Sequence, residues 1–113
     1  MNAHLQRRVN DLLHRHNSAT LATCGPAGPQ VSIVSFGVQQ LCIHLTLSYG
    51  SDHLFNLETQ PLLALLTSSW RLHGQGYMID DTYQHQQATV VVTATRLHIL
   101  SNDSQHTIET IDF

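Results

Sequence analysis

The stretch Ala19-Thr20-Leu21-Ala22-Thr23-Cys24-Gly25-Pro26-Ala27-Gly28-Pro29-Gln30-Val31-Ser32-Ile33-Val34-Ser35-Phe36 decides the architecture. Ala19 to Cys24 has a period of two and reads as a strand. Gly25 to Pro29 places two prolines and two glycines within five residues, a turn that no regular element can cross. Gln30 to Phe36 then alternates Val31 and Ile33 against Gln30 and Ser32, as the return strand of a hairpin does.

Upstream, residues 3–16 set Leu5, Val9, Leu12 and Leu13 at intervals of four, three and one, the apolar stripe of an amphipathic helix, and Asn17-Ser18 stops it. Downstream, Gly37 to Gln40 is expected to turn the chain. Leu41 to Leu47 puts Leu41, Ile43, Leu45 and Leu47 on one face and Cys42, His44 and Thr46 on the other, so one side of the sheet is dry. Ser48 to Ser51 is a loop, and Asp52 to Thr59 has helical composition, with Ser51 placed to cap it and Pro61 just beyond its end.

Three more strands are expected: Leu62 to Thr67, apolar on both faces; Trp70 to Ile79, loosely alternating around Gly74 and Gly76; and the β-branched run Thr89 to Leu100. Asp80 to Gln87 and Ser101 to His106 read as polar loops, before a short closing segment from Thr107 to Phe113. Six or seven short strands, one leading helix and one helix after the third strand point to a mostly β small barrel, since closure removes exposed sheet edges.

The chain has 113 residues, which is the length of one domain, expected to span 1–113. Only 12% of residues are charged, against about 25% in ordinary domains. The surface is therefore solubilised by Thr, Gln, Ser and His or partly covered in a homo-oligomer. Five arginines, no lysine and a net charge of −3 give no basic stripe for DNA or RNA. Cys24 and Cys42 are too few for a disulfide framework or a four-cysteine zinc site. No apolar run approaches the roughly 18 residues of a membrane span, and the N-terminus lacks a signal-peptide core, so a cytoplasmic protein is expected.

Nine histidines invite a metal, but His14 and His16 point in different directions on a helix and no spaced pair has a third ligand in view. No metal site is assigned. Hydrolase elbows, Walker loops and dinucleotide fingerprints are absent. Cys42 and His44 share a strand face without an orienting carboxylate, which suits a semi-polar barrel face or subunit contact better than a nucleophile. The segment from Thr46 to Pro61 carries more: strand end, hydroxyl-rich loop and helix start bring hydroxyls and unpaired N–H groups together, an arrangement suited to an anion. Asp52 puts a carboxylate in that place, and a capped helix without ligand accounts for Ser51 equally well.

In order and spacing, Ala19-Thr-Leu-Ala-Thr, Gly25-Pro-Ala-Gly-Pro-Gln-Val-Ser, Thr46, Ser51-Asp52-His53, Asn56-Leu57, Pro61, Trp70-Arg-Leu-His-Gly-Gln-Gly and Thr95-Arg-Leu-His resemble the pyridoxamine 5′-phosphate oxidase-like, FMN-binding split-barrel superfamily over residues 5–113. The resemblance implies a six-stranded split β-barrel of Greek-key type, a homodimer with FMN in a groove at the subunit interface, and flavin oxidoreductase chemistry on an unknown substrate. It places Thr46 and Ser51 at the flavin phosphate and His53 where the family has a basic residue. It also runs Ser32 to Phe36, including Ser35, along the isoalloxazine, and puts Arg71 beside Trp70 facing the groove, with Arg71 the partner for the flavin N1–C2=O edge. Catalytic residues are not assigned by it.

The positions matching the family's basic phosphate ligands are Gln30, Ser35, Asp52 and His53. Each lost charge-assisted hydrogen bond is worth about 1.5–3 kcal/mol, so two losses weaken binding on the order of a hundredfold or more. The chain also lacks the added C-terminal segment of the vitamin B6 oxidases, so pyridoxamine phosphate oxidation is not expected. The alternative is a non-enzymatic split-barrel dimer that has lost flavin and binds another small ligand, with haem on His98 or His106 as one form of it.

Overall fold

The computed structural model describes residues 1–82, 86–103 and 106–113, with only the backbone described at 80–82. Helix α1 spans Ala3–Leu13 and α2 spans Asp52–Thr59. The strands are β1 Ser18–Thr23, β2 Gln30–Gln39, β3 Cys42–Ser48, β4 Leu62–Leu66, β5 Trp70–Thr82, β6 Gln87–Leu100 and β7 Thr107–Asp112. All described pairings are antiparallel. The sheet order is β3-β2-β1-β4-β5-β6-β7, and a β3–β6 pairing closes β1 to β6 into a barrel with β7 outside it.

The interior follows from period-two patterning. Leu21, Ile43, Leu45, Leu65, Leu72, Val90 and Leu97 alternate inward and are almost wholly shielded. Trp70 joins them, its ring edge-on to Phe36 with centroids 5.8 Å apart and its Nε1 donating to Leu12 O at 3.1 Å. That bond draws the C-terminal half of α1, with Val9, Leu12 and Leu13, into the same core. Asn2 caps α1 by accepting from Leu5 N at 2.8 Å.

Five local expectations are corrected. The β2–β3 turn sits at Gln40 and Leu41, whose φ values are 51° and 69°, and Gly37 remains in β2 opposite His44. A two-residue loop of type I′, whose twist matches that of the strands, needs positive φ at both central residues, and here both are non-glycine. Leu41 accordingly lies in the turn, outside β3, while its half-buried side chain still packs against the core. Helix α1 ends at Leu13 and not at His16. Thr67 is outside β4, where its Oγ1 accepts from Ser69 N at 3.2 Å and Trp70 N at 3.1 Å in the turn to β5. Asp80 to Thr82 and Gln87 belong to strands, while 83–85 of that expected loop and 104–105 of the next lie outside the described residues.

Gly74 marks a register shift in the β5–β6 ladder, where an added Cβ would meet Thr93 O at 2.5 Å. Only glycine lets the two backbones approach so closely there. Among the described residues, no helix is long and apolar enough to cross a membrane.

Candidate functional site

The turn Gly25–Gly28 is closed by Gly28 N donating to Gly25 O at 2.9 Å, with Gly28 at φ 80°. It rests on α2 so tightly that a Cβ on Gly25 would lie 3.0 Å from the Asn56 backbone. Asn56 is completely buried and clamps the turn: its Oδ1 accepts from Ala27 N at 2.8 Å and its Nδ2 donates to Gly28 O at 2.8 Å. The amide orientation follows, because Ala27 offers only a donor and Gly28 only an acceptor. Asn56 Nδ2 also reaches Thr23 Oγ1 at 3.2 Å.

One helical turn earlier, His53 faces the same cluster. Its Nδ1 is 2.8 Å from Thr23 Oγ1 and its Nε2 is 2.7 Å from Ser32 Oγ. A hydroxyl can donate or accept, so both ring nitrogens of a neutral imidazole are satisfied in either tautomer. Burial pushes the His53 pKa down from its ordinary value, against a smaller upward pull from Asp52. Ser51 Oγ meanwhile accepts from His53 N at 3.1 Å as the helix cap. Thr23, Ser32, His53 and Asn56 thus bolt β1, β2 and α2 together.

The outer face of the barrel is read from the cross-strand register, since paired residues project to the same side. One row runs Ile33, Thr20, Leu66, Arg71, His98, Thr110, and the next runs Val31, Ala22, Ala64, His73, Arg96, Asp112. The β2-β1-β4 half is apolar, with Val31 69%, Ile33 78% and Leu62 54% exposed. Its β5-β6-β7 half carries arginines and histidines.

The expected site residues separate accordingly. Ser35 and Thr46 are cross-strand partners with exposed outward side chains, so they do come together. Ser51 caps α2. Arg71 lies on the outer face between Leu66 and His98. Trp70, by contrast, has no exposed surface and belongs to the core, because the residue next to an outward Arg71 must point inward. His53 has both ring nitrogens engaged within the bolt. In the sequence Thr23 and Ser32 are visible as strand residues, Ser32 also within the stretch that the resemblance runs along the isoalloxazine, and Asn56 as a helix residue. Their joint role needs the α2–turn contact that no local pattern contains.

No family model matches the chain, and neither does any curated protein. Solved structures do match. General Stress Protein 26 from Bacillus anthracis superposes with a TM-score of 0.75 at 10% identity, covering 97% of this chain and 99% of that one. A protein described as a putative pyridoxamine 5′-phosphate oxidase from Listeria innocua gives 0.72 at 11% identity, covering 88% and 99%. The fold is that of the pyridoxamine 5′-phosphate oxidase-like split barrels. HutZ, a haem storage protein from Vibrio cholerae, has a TM-score of 0.65 at 14% identity, covering 84% of this chain and 94% of its own. At such identities the likeness extends to the fold, which is shared by proteins of differing ligands.

The split-barrel fold implies FMN, and the donor set at the start of α2 does not fit its phosphate. Ser51 Oγ is engaged as a cap, Asp52 brings a negative charge, and both His53 nitrogens are bonded within the protein. Ser35 and Thr46 offer hydroxyls without charge. A dianion placed there would gain none of the cationic partners that make phosphate binding strong.

Proposed function

We propose that this chain is a homodimeric split-barrel binding module for a small ligand, and that it does not hold FMN through a phosphate cradle. The observation that carries this is the engagement of both His53 ring nitrogens by Thr23 and Ser32, which takes the one histidine in the basic pair's place out of ligand contact. The dimer is supported by the aliphatic half of the outer face, since Val31, Ile33, Leu62 and Leu66 are too exposed and too contiguous for a surface facing water alone. Burying such side chains contributes roughly 1.5–3 kcal/mol each.

Titration of the purified protein with FMN and riboflavin, followed by flavin fluorescence after recording the untreated absorption spectrum, tests the ligand half. No saturable FMN binding is expected up to about a hundred micromolar, a free-energy ceiling near −5.5 kcal/mol. Binding of one FMN per subunit, much tighter than riboflavin, would restore the phosphate-anchored flavoprotein. Light scattering tests the other half: the unaltered chain should be a dimer and Ile33→Asp a folded monomer. A monomeric mass for the unaltered chain would remove the dimer.

A further inference from the structure

Arginines are the only fixed side-chain cations in this sequence, five in all, and two of them meet two of the nine histidines on the outer face of β5 and β6. Arg71 pairs with His98 and His73 with Arg96, so the four form a block in which guanidinium and imidazole alternate. The two rings meet edge to face with centroids 5.4 Å apart. His73, His98, Arg96, Thr95 and Asp112 line a shallow hollow of ≈ 280 Å³, and Arg71 stands beside it as the cross-strand partner of His98 without lining it.

Asp112 is the one carboxylate lining that hollow, and it is committed to Arg96, whose Nε donates to its Oδ1 at 2.6 Å. Arg71 has no such partner: its Nε is buried and makes no hydrogen bond among the described residues. An orphaned buried guanidinium N–H costs free energy unless something accepts from it. Other donors are already occupied. His98 Nδ1 contacts Thr110 Oγ1 at 3.1 Å, and Thr95 Oγ1 donates to His73 O at 3.0 Å.

The charge selects the ligand. Two guanidinium groups against one carboxylate leave a local excess of one positive charge before either imidazole takes a proton. A metal cation would be repelled, and among the described residues no group of three His, Cys, Asp or Glu side chains is placed to hold one. We infer that Arg71, His73, Arg96 and His98 form a binding site for a compact oxyanion of the phosphate class, either inorganic phosphate or the phosphate group of a small monoester. This names the ligand class of the binding module proposed above and rests on that reading. It gives Arg71 to the oxyanion rather than to a flavin ring.

Burial, followed by Arg71 and other neighbouring cations, holds both the His73 and His98 pKa values below the ordinary imidazole value, with Asp112 opposing the effect at His98. An anion seated among them reverses the electrostatic part of that shift. Ala64 and Leu66 face the block from β4 without charge, so Arg71, Arg96 and Asp112 are the charges that govern it. Binding should therefore tighten as pH falls, because proton and anion uptake are linked.

Calorimetric titration of the full chain with sodium phosphate, sodium sulfate and phenyl phosphate tests the site. One saturable site per chain is expected, with sulfate, whose charge is constant, binding more tightly at pH 6 than at pH 8. Arg71→Gln should weaken binding about tenfold or more. Arg96→Gln, at an exposed position that leaves the core untouched, should weaken it as well. Phenyl phosphate binding more tightly than phosphate assigns the site to a monoester, and the reverse assigns it to the free ion. No saturable heat up to about 20 mM, the limit of any useful affinity, would overturn the inference, as would equal affinity in both folded variants. FMN titrated into the same samples keeps the two failures apart: FMN binding that survives Arg71→Gln and Arg96→Gln contradicts the module reading, whereas absence of sulfate and phosphate heat contradicts this site alone.

Discussion

Two of the polar clusters among the described residues set histidine in opposite surroundings. Under α2, the side chains of Thr23, Ser32, His53 and Asn56 close on each other and on the Ala27–Gly28 backbone, with both His53 nitrogens and the Asn56 amide engaged. On the β5–β6 face, His73 and His98 stand among Arg71 and Arg96 with a single carboxylate and an orphaned Arg71 Nε. Histidine count therefore says little about binding. A ring whose hydrogen bonds all end inside the protein fastens structure, whereas rings set among guanidinium groups with one unmatched N–H leave room for an acceptor.

Substitutions should separate the two clusters. The largest effect is expected at Asn56→Ala, which leaves the half-buried Ala27 N–H and Gly28 carbonyl without their partner and empties a fully buried position. At about 1–3 kcal/mol per group, the loss should be about 3 kcal/mol or more, read as a lower urea midpoint. His53→Ala removes one member and frees two hydroxyls, of which Ser32 can turn to water, so about 1–2 kcal/mol is expected.

The pH dependence of that second variant carries its own sign. The folded His53 pKa is depressed, so the unfolded state binds more protons and stability falls as pH drops below the ordinary imidazole value of about 6.5. Urea midpoints at pH 7.5 and 5.5 should diverge more for the unaltered protein than for His53→Gln. Equal divergence would mean that His53 is not held neutral.

Smallest of all on stability is the effect expected at the open cluster. Arg96→Gln and His98→Gln should leave the urea midpoint at pH 7.5 within experimental error, since their side chains face solvent and exposed ion pairs contribute little. A large loss of stability in either would make this face a structural bolt like the first.

Much of the fold is legible in the sequence because it rests on local chemistry. The Gly25–Pro29 turn, the Ser51 cap and the alternation of β3 each follow from neighbouring residues, and Ser51 does accept from His53 N. The Gln40-Leu41 turn is not legible, because strand twist overrides a nearby Gly37. Trp70 looked like a groove residue from its place beside Arg71, but strand alternation sends neighbours to opposite faces. The register shift at Gly74 defeats counting along β5 and β6, so the pairing of His73 with Arg96 emerges only from the folded ladder. The bolt was hidden for a similar reason: Thr23, Ser32 and His53 lie on three elements that the tight seat of Gly25 on Asn56 brings together.

The most direct test compares both clusters in one sample. Nitrogen-15 spectra of the imidazole rings, recorded before and after adding sodium phosphate at pH 6.5, report every histidine at once. His73 and His98 should shift with saturating phosphate while His53 stays neutral and unmoved. A phosphate-dependent shift at His53, with His73 and His98 unchanged, would contradict the account, because the ligand would then occupy the cluster described as closed.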